Sequence, residues 1–300
     1  MVMVSFVNGQ YGYCEMVADC DKLIRTYPFI RGYVIGHSVL GKPILAIKCG
    51  EGARRIHMNG SFHANEWITT PLLMRFAEEW AGACVGDGNL FGEQACQLYR
   101  ETEVWFVPMV NPDGVQLSLE GIEPGNPYRE QLLAMNRGSE QFDQWKANIR
   151  GVDLNDQFPA HWEEERLRRG MEGPGPRDFP GPFPLSEPEA QALARLTLSL
   201  QFDSVLALHT QGEEIYWNYR EYEPEHAESQ ADRLGGVSGY KPVKLTGSDA
   251  GYKDWFIQRF RKPGFTVEAG LGVNPLPPGE FNDIYARIGP LLSEFVRIQR

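Results

Sequence analysis

Hydrophobic and polar positions along this chain follow two rhythms, one with the period of a helix and one with the alternation or short apolar runs of strands. Met16, Val17, Leu23 and Ile24 fall at helical spacing within residues 13–27, and Tyr27-Pro28 ends that pattern. The runs Tyr33-Val34-Ile35-Gly36-His37 and Ile44-Leu45-Ala46-Ile47 flank a Gly41-Lys42-Pro43 turn and predict a hairpin. A third strand is expected over Ile56–Asn59, broken by Gly60-Ser61 just before His63. From Thr70 a helix opens with Thr-Pro, puts Leu72, Leu73, Phe76 and Trp80 on one face, and is predicted to close on Gly82. Val104–Pro108 reads as a strand running into a turn at Asn111-Pro112-Asp113-Gly114. Ser186 and Glu189 have capping-box spacing ahead of Ala190, Leu193, Leu196 and Leu200, and a strand follows at Ser204–Leu208.

Residues 170–184 are too rich in Gly and Pro for helix or sheet, and their length suits a loop and not a domain linker. There is no internal repeat. Strands alternating with helices predict one α/β/α domain over residues 1–300, built on a mixed, mostly parallel sheet whose site lies beyond the carboxyl ends of the strands.

Composition narrows the partners. The 42% hydrophobic content, with aromatic residues spread along all 300 positions, supports a large core. The formal charge of −11 argues against nucleic acid, because phosphate binding needs a positive field. No apolar run is long enough to span a bilayer, and the first residues lack a basic, apolar leader, so a cytoplasmic protein without a membrane partner is expected. Cys14, Cys20, Cys49, Cys84 and Cys96 form no C-x-x-C pair and read as reduced thiols. The pattern specifies no oligomeric state.

Four groups capable of chemistry fall at strand ends. His63 and Glu66 follow the strand that ends near Asn59, His209 follows Ser204–Leu208, and Glu268 follows Phe265-Thr266-Val267. The i, i+3 spacing of His63 and Glu66 aims both at one point if a helical turn starts there. Three nitrogen or oxygen ligands with one open position compose a catalytic zinc site, whereas a structural site is closed by four protein ligands. Zinc lowers the pKa of a bound water to roughly 7, and a nearby carboxylate, here Glu268, can take the proton. An isolated H-x-x-E is a common chance pattern and a lone strand-end histidine is usually structural, so the joint placement carries the reading. His57 is the rival ligand, but its strand position places it well before the end. His37, His161 and His226 lie in turn or charged contexts and are expected to be solvated, and no G-x-S-x-G signals a serine nucleophile.

The motifs FHANEW (62–67), NPDG (111–114), RGVDLN (150–155), PLSEPEAQAL (184–193), LHTQG (208–212) and TVEAG (266–270) occur in an order that resembles the zinc carboxypeptidase superfamily. More narrowly, SFHANEWITTPLL, GVDLNDQFPAHWE and HTQGEEIYW look like the bacterial γ-D-glutamyl-L-diamino acid endopeptidases, which cut peptidoglycan stem peptides. The resemblance implies one zinc ion on His63, Glu66 and His209, with Glu268 as the base. It matches Asn155 to an asparagine that holds a substrate carboxylate, and it puts Asp156 where an arginine normally clamps the same carboxylate. That charge reversal should disfavour a free α-carboxyl and favour an ammonium group. Lys253 falls at the specificity-pocket position and would attract an acidic side chain, such as the distal carboxylate of diaminopimelate. Lys146 stands in for the arginine that stabilises the oxyanion, and the family's mobile tyrosine falls near Thr246, between Tyr240 and Tyr252. The implied activity is hydrolysis of a peptidoglycan-derived peptide. A carboxypeptidase or N-acyl amino acid amidohydrolase of other specificity, and an inactive wall-peptide binding module, are the alternative readings.

Overall fold

In the computed structural model, which describes residues 9–298, eight strands form one sheet and helices cover both of its faces. Residues 1–8, on which the expectation of no leader rests in part, lie outside the described residues. In chain order the first elements are α1 (Tyr13–Thr26), β1 (Arg31–His37), β2 (Pro43–Cys49), β3 (Arg54–Asn59) and α2 (Thr69–Val85). A two-stranded ribbon, β4 (Asn89–Leu90) and β5 (Glu93–Gln94), leads to α3 (Ala95–Glu101), β6 (Thr102–Val107), α4 (Pro112–Glu120), α5 (Arg129–Met135) and α6 (Trp162–Arg169). The chain continues through α7 (Pro188–Leu200), β7 (Ser204–His209), β8 (Glu214–Tyr216), α8 (Ala227–Ser238), β9 (Lys241–Val243), α9 (Tyr252–Phe260), β10 (Gly264–Glu268) and α10 (Phe281–Arg297).

The sheet order is β1-β2-β6-β3-β7-β10-β8-β9. The β6-β3, β3-β7, β7-β10 and β8-β9 pairs are parallel, and the other three are antiparallel, as expected of a mixed sheet. Strand alternation divides the interior in two. Ile56 and Met58 of β3, Leu206 and Leu208 of β7, and Phe265 and Val267 of β10 face a core shared with α1, α2, α3, α8 and α10. Val205 and Ala207 face the other way, toward α7 and α9. Gly36 permits α7 to lie directly on β1, since a Cβ there would fall 2.5 Å from that of Ala192.

Three local expectations give way to tertiary contacts. The α2 helix does not stop at Gly82 but runs on to Val85, where Gly86 donates to Gly82 O, because Ala83 and Cys84 still pack against the core. Asn111 to Gly114 is the start of α4 and not a free turn: Asn111 caps it, accepting from Gly114 N, and Pro112 has the φ that a first helical turn needs. The capping box at Ser186 does not form. Ser186 Oγ donates to Gln157 Oε1 at 3.1 Å, and Glu189 accepts the Val39 N–H at 3.1 Å, so both side chains join distant segments. Residues 170–184 carry neither helix nor strand, as their composition predicts.

None of the described helices is long and apolar enough to cross a membrane. Trp80, with no exposed surface and its indole N–H on Ala95 O at 3.1 Å, ties α2 to α3. Trp80→Ala is expected to cost about 3–5 kcal/mol, read from denaturant unfolding, because it opens a cavity and removes the indole bond to that carbonyl; a loss below about 1 kcal/mol would contradict this account of the core.

Candidate metal centre and active site

The parallel register brings the strand-end residues together. Glu268 is paired with His209 across β10 and β7, and both side chains leave the sheet on the α7/α9 side because their neighbours Val267 and Leu208 point to the opposite core. At the end of β3 the chain reverses through Gly60 and Ser61, and the Thr69 hydroxyl accepts the Ser61 N–H at 2.8 Å. A single 3-10 turn, Ala64–Glu66, follows, so the helical turn anticipated for His63 and Glu66 is present.

Here His63 Nδ1 lies 2.7 Å from Glu66 Oε1, and His209 Nδ1 lies 2.9 Å from Glu66 Oε2. The two Nδ1 atoms are 3.2 Å apart. All three side chains are buried, and they form a group whose ligand atoms lie within 4.8 Å of one another and could hold a metal ion. Two imidazoles and a carboxylate suit zinc, and fewer than four protein ligands leave a position for substrate or water. Phe62 stacks on His209 with ring centroids 5.8 Å apart and fixes its plane.

The electrostatics fit a site built for a cation. Burial works against charging Glu66, but the two imidazoles outweigh it and hold its carboxyl far below the usual range. Burial also opposes the charged form of His63, yet Glu66 and Asp153 push its pKa up to about 9. His209 moves the other way, chiefly through burial. Glu268 is pushed up to about 8 by burial and by the nearby charge of Glu66.

Asp153, two residues before Asn155, is buried and bridges the site to its surroundings. Its Oδ1 is 3.2 Å from His63 Nε2 and its Oδ2 is 2.8 Å from Lys146 Nζ. A carboxylate on the far nitrogen sets which ring nitrogen stays free to ligate. Lys146 is thus paired with Asp153, and Asp178 lies 3.4 Å away.

The remaining anticipated residues divide. Asn155 adjoins the site, with its Oδ1 accepting the Tyr252 N–H at 3.2 Å. Asp156 does not present a lone negative charge: Arg169 of α6 approaches it with Nε at 2.8 Å and Nη2 at 3.0 Å. The reversal of charge seen in sequence is therefore answered by an arginine thirteen positions later in α6. Lys253 is buried, donating to Asn218 O at 2.7 Å and pairing with Asp254 at 2.5 Å, so its charge is met within the fold. His57 is neutral and inside: burial pushes its pKa down to about 3, and its Nδ1 is 2.9 Å from Trp105 O. It is paired with Val205, four residues before His209, which is about 13 Å along the strand. His37 is exposed, whereas His161 Nδ1 lies 2.7 Å from Glu164 Oε1 and 3.2 Å from Arg220 Nη1. Tyr240 and Tyr252, the flanking candidates for a mobile tyrosine, are both buried, with hydroxyls bonded to Gly270 N and Thr197 Oγ1.

Asp153 was legible in the RGVDLN motif but has no role assigned by spacing. Arg169, inside the charged run of α6, and Asn274, whose Nδ2 lies 3.4 Å from Glu66 Oε1, give no local signal.

A mixed α/β sheet with a buried His-Glu-His group and a carboxylate at its strand ends defines a metallopeptidase. Residues 16–268 match the zinc carboxypeptidase family profile, and the chain belongs to that family. It is 50% identical over 281 residues, 93% of its length and 71% of the relative's, to γ-D-glutamyl-L-diamino acid endopeptidase 1 of Lysinibacillus sphaericus. It is 46% identical to the uncharacterized protein YqgT of Bacillus subtilis (strain 168), over 89% of this chain and 72% of that one. Among solved structures, thrombin-activatable fibrinolysis inhibitor shares the fold with a TM-score of 0.78 at 17% identity, covering 99% of this chain and 76% of that one. The murein-tripeptide amidase MpaA of Escherichia coli O157 does so with a TM-score of 0.58 at 22% identity, over 90% and 92%.

A metal takes the neutral imidazole, so the proton that His63 holds up to about 9 competes with it. Zinc affinity, measured by chelator competition, is expected to rise with pH by up to about tenfold per unit from pH 6 and to level off near 9; an affinity independent of pH would refute the assignment. Asp153→Asn is expected to weaken zinc binding by about 10- to 100-fold in the same assay, by loosening His63.

Proposed function

We propose that residues 1–300 act as one catalytic unit, a zinc peptidase that hydrolyses the amide between γ-D-glutamate and a diamino acid in peptidoglycan-derived peptides. His63, Glu66 and His209 hold one zinc ion in this reading, and Glu268 is the base. The observation that carries it is the convergence of both Nδ1 atoms on the two Glu66 oxygens, with Glu268 in register beside His209. The substrate rests on the 50% identity to the Lysinibacillus endopeptidase.

When bound, zinc supplies Lewis-acid polarisation of the scissile carbonyl and acidifies water. The protein's own groups do the rest. Glu268 takes the proton of the attacking water and returns it to the leaving nitrogen. Asn155 has its oxygen engaged by Tyr252 N, so its amide N–H groups are the ones that meet substrate. Lys146 holds Asp153, which holds His63 in the ligating tautomer. An ordinary carboxypeptidase is disfavoured, because the resemblance puts Asp156 at the position of the usual clamp and Arg169, which pairs with Asp156, also faces Glu165 and Asp178.

Zinc-loaded protein given L-Ala-γ-D-Glu-meso-diaminopimelate is expected to release L-Ala-D-Glu, identified by mass. Glu268→Gln is expected to lower kcat by about 10²- to 10⁴-fold while keeping its zinc. An uncleaved peptide with the wild-type protein, or full turnover by the glutamine variant, would overturn the proposal.

A further inference from the structure

Beside the metal centre, Lys146, Asp178 and Arg169 form a row of alternating charge, with 17%, 32% and 30% of their side chains exposed. Buried acids stand behind the two cations. Asp153 pairs with Lys146 at 2.8 Å, and Asp156 takes the Nε and Nη2 side of Arg169. Glu165 also approaches Arg169 Nε, at 2.8 Å.

Two groups in this row are left with only loose contacts. Asp178 Oδ1 has Lys146 Nζ at 3.4 Å and Arg169 Nη1 at 3.6 Å, both long for charge-assisted bonds. Arg169 Nη1 has that same long contact as its ion pair. One carboxylate that can accept a cation therefore adjoins one guanidinium edge that can donate to an anion. A bare carboxylate ligand would meet Arg169 already faced by three acids, whereas a ligand carrying an ammonium next to its carboxylate brings the charge that Asp178 needs.

We propose that Arg169 and Asp178 together bind the amino-carboxylate end of the diamino acid side chain, and so set a preference for diaminopimelate over lysine. The assignment rests on the peptidase reading above. The row lies past Asp153, which touches the ligand His63, so the receptor is displaced from the scissile bond and stands on the side of Asn155 and Asp156. Arg169 acts on the carboxylate alone, and Asp178 on the ammonium that lysine also carries. The two residues consequently have different signatures with the two peptides.

The test compares kcat/KM of the zinc-loaded protein for L-Ala-γ-D-Glu-meso-diaminopimelate and for the same peptide ending in L-lysine. Wild type is expected to favour the first. Arg169→Gln is expected to shrink that preference by about 10- to 100-fold, mainly through KM. Asp178→Asn is expected to weaken both peptides together and leave the ratio within about threefold. Because Arg169 neutralises buried Asp156, the double variant Asp156→Asn/Arg169→Gln serves if the single one does not fold, with the same expected loss of preference. Equal effects of Arg169→Gln on both peptides, or an unchanged ratio in the double variant, would overturn the assignment. Cleavage of neither peptide by wild type would instead defeat the peptidase reading itself.

Discussion

The Glu66 carboxylate, held between two imidazoles in a buried pocket, is the interaction on which the rest of the site depends. Burying three ionisable side chains in such contact costs free energy unless their charges and hydrogen bonds are matched. Each Glu66 oxygen meets one Nδ1, and the backbone N–H of Thr210 adds a further bond at 3.2 Å. The arrangement holds because three separate segments are anchored independently of it. The Ala64–Glu66 turn leans on α2 through the Thr69 hydroxyl, which donates to Glu66 O at 2.8 Å, while the ends of β7 and β10 are fixed by their parallel register.

Outward from that centre the structure is organised by chains of charge. Asp153 connects His63 to Lys146, and Asp178 links Lys146 to Arg169, which neutralises Asp156. A second cluster, Glu165, Arg168, Arg220 and Asp249, ties the 244–251 segment to α6 and to the Tyr219 hydroxyl. These pairs decide what two of the charges near the site face. Asp156 is neutralised by Arg169 of α6, and Lys253 can sit inside because Asp254 and Asn218 O satisfy it.

The large elements were legible in the chain because their signals are local. Apolar period and Pro-Gly punctuation marked α1, α2, α7 and the strands β1, β2, β3, β6 and β7 to within a few residues. The ends were less legible, since Gly82, Ser186 and Asn111 each carried a strong local preference that packing or a distant partner redirected. Short late elements such as β8 and β9, three residues each, hold too little periodicity to be read at all.

The sequence by itself singled out His63, Glu66, His209 and Glu268, because they fall just beyond apolar runs and a strand's end is where an open α/β sheet presents its chemistry. It also disfavoured His57, and the structure puts that residue opposite Val205, four positions short of His209. Only the tertiary structure decided what each charge near the site faces. Ion pairing depends on distance in space, and no pattern in the chain announces that Arg169 reaches Asp156, that Lys146 pairs with Asp153, or that Lys253 is already spoken for.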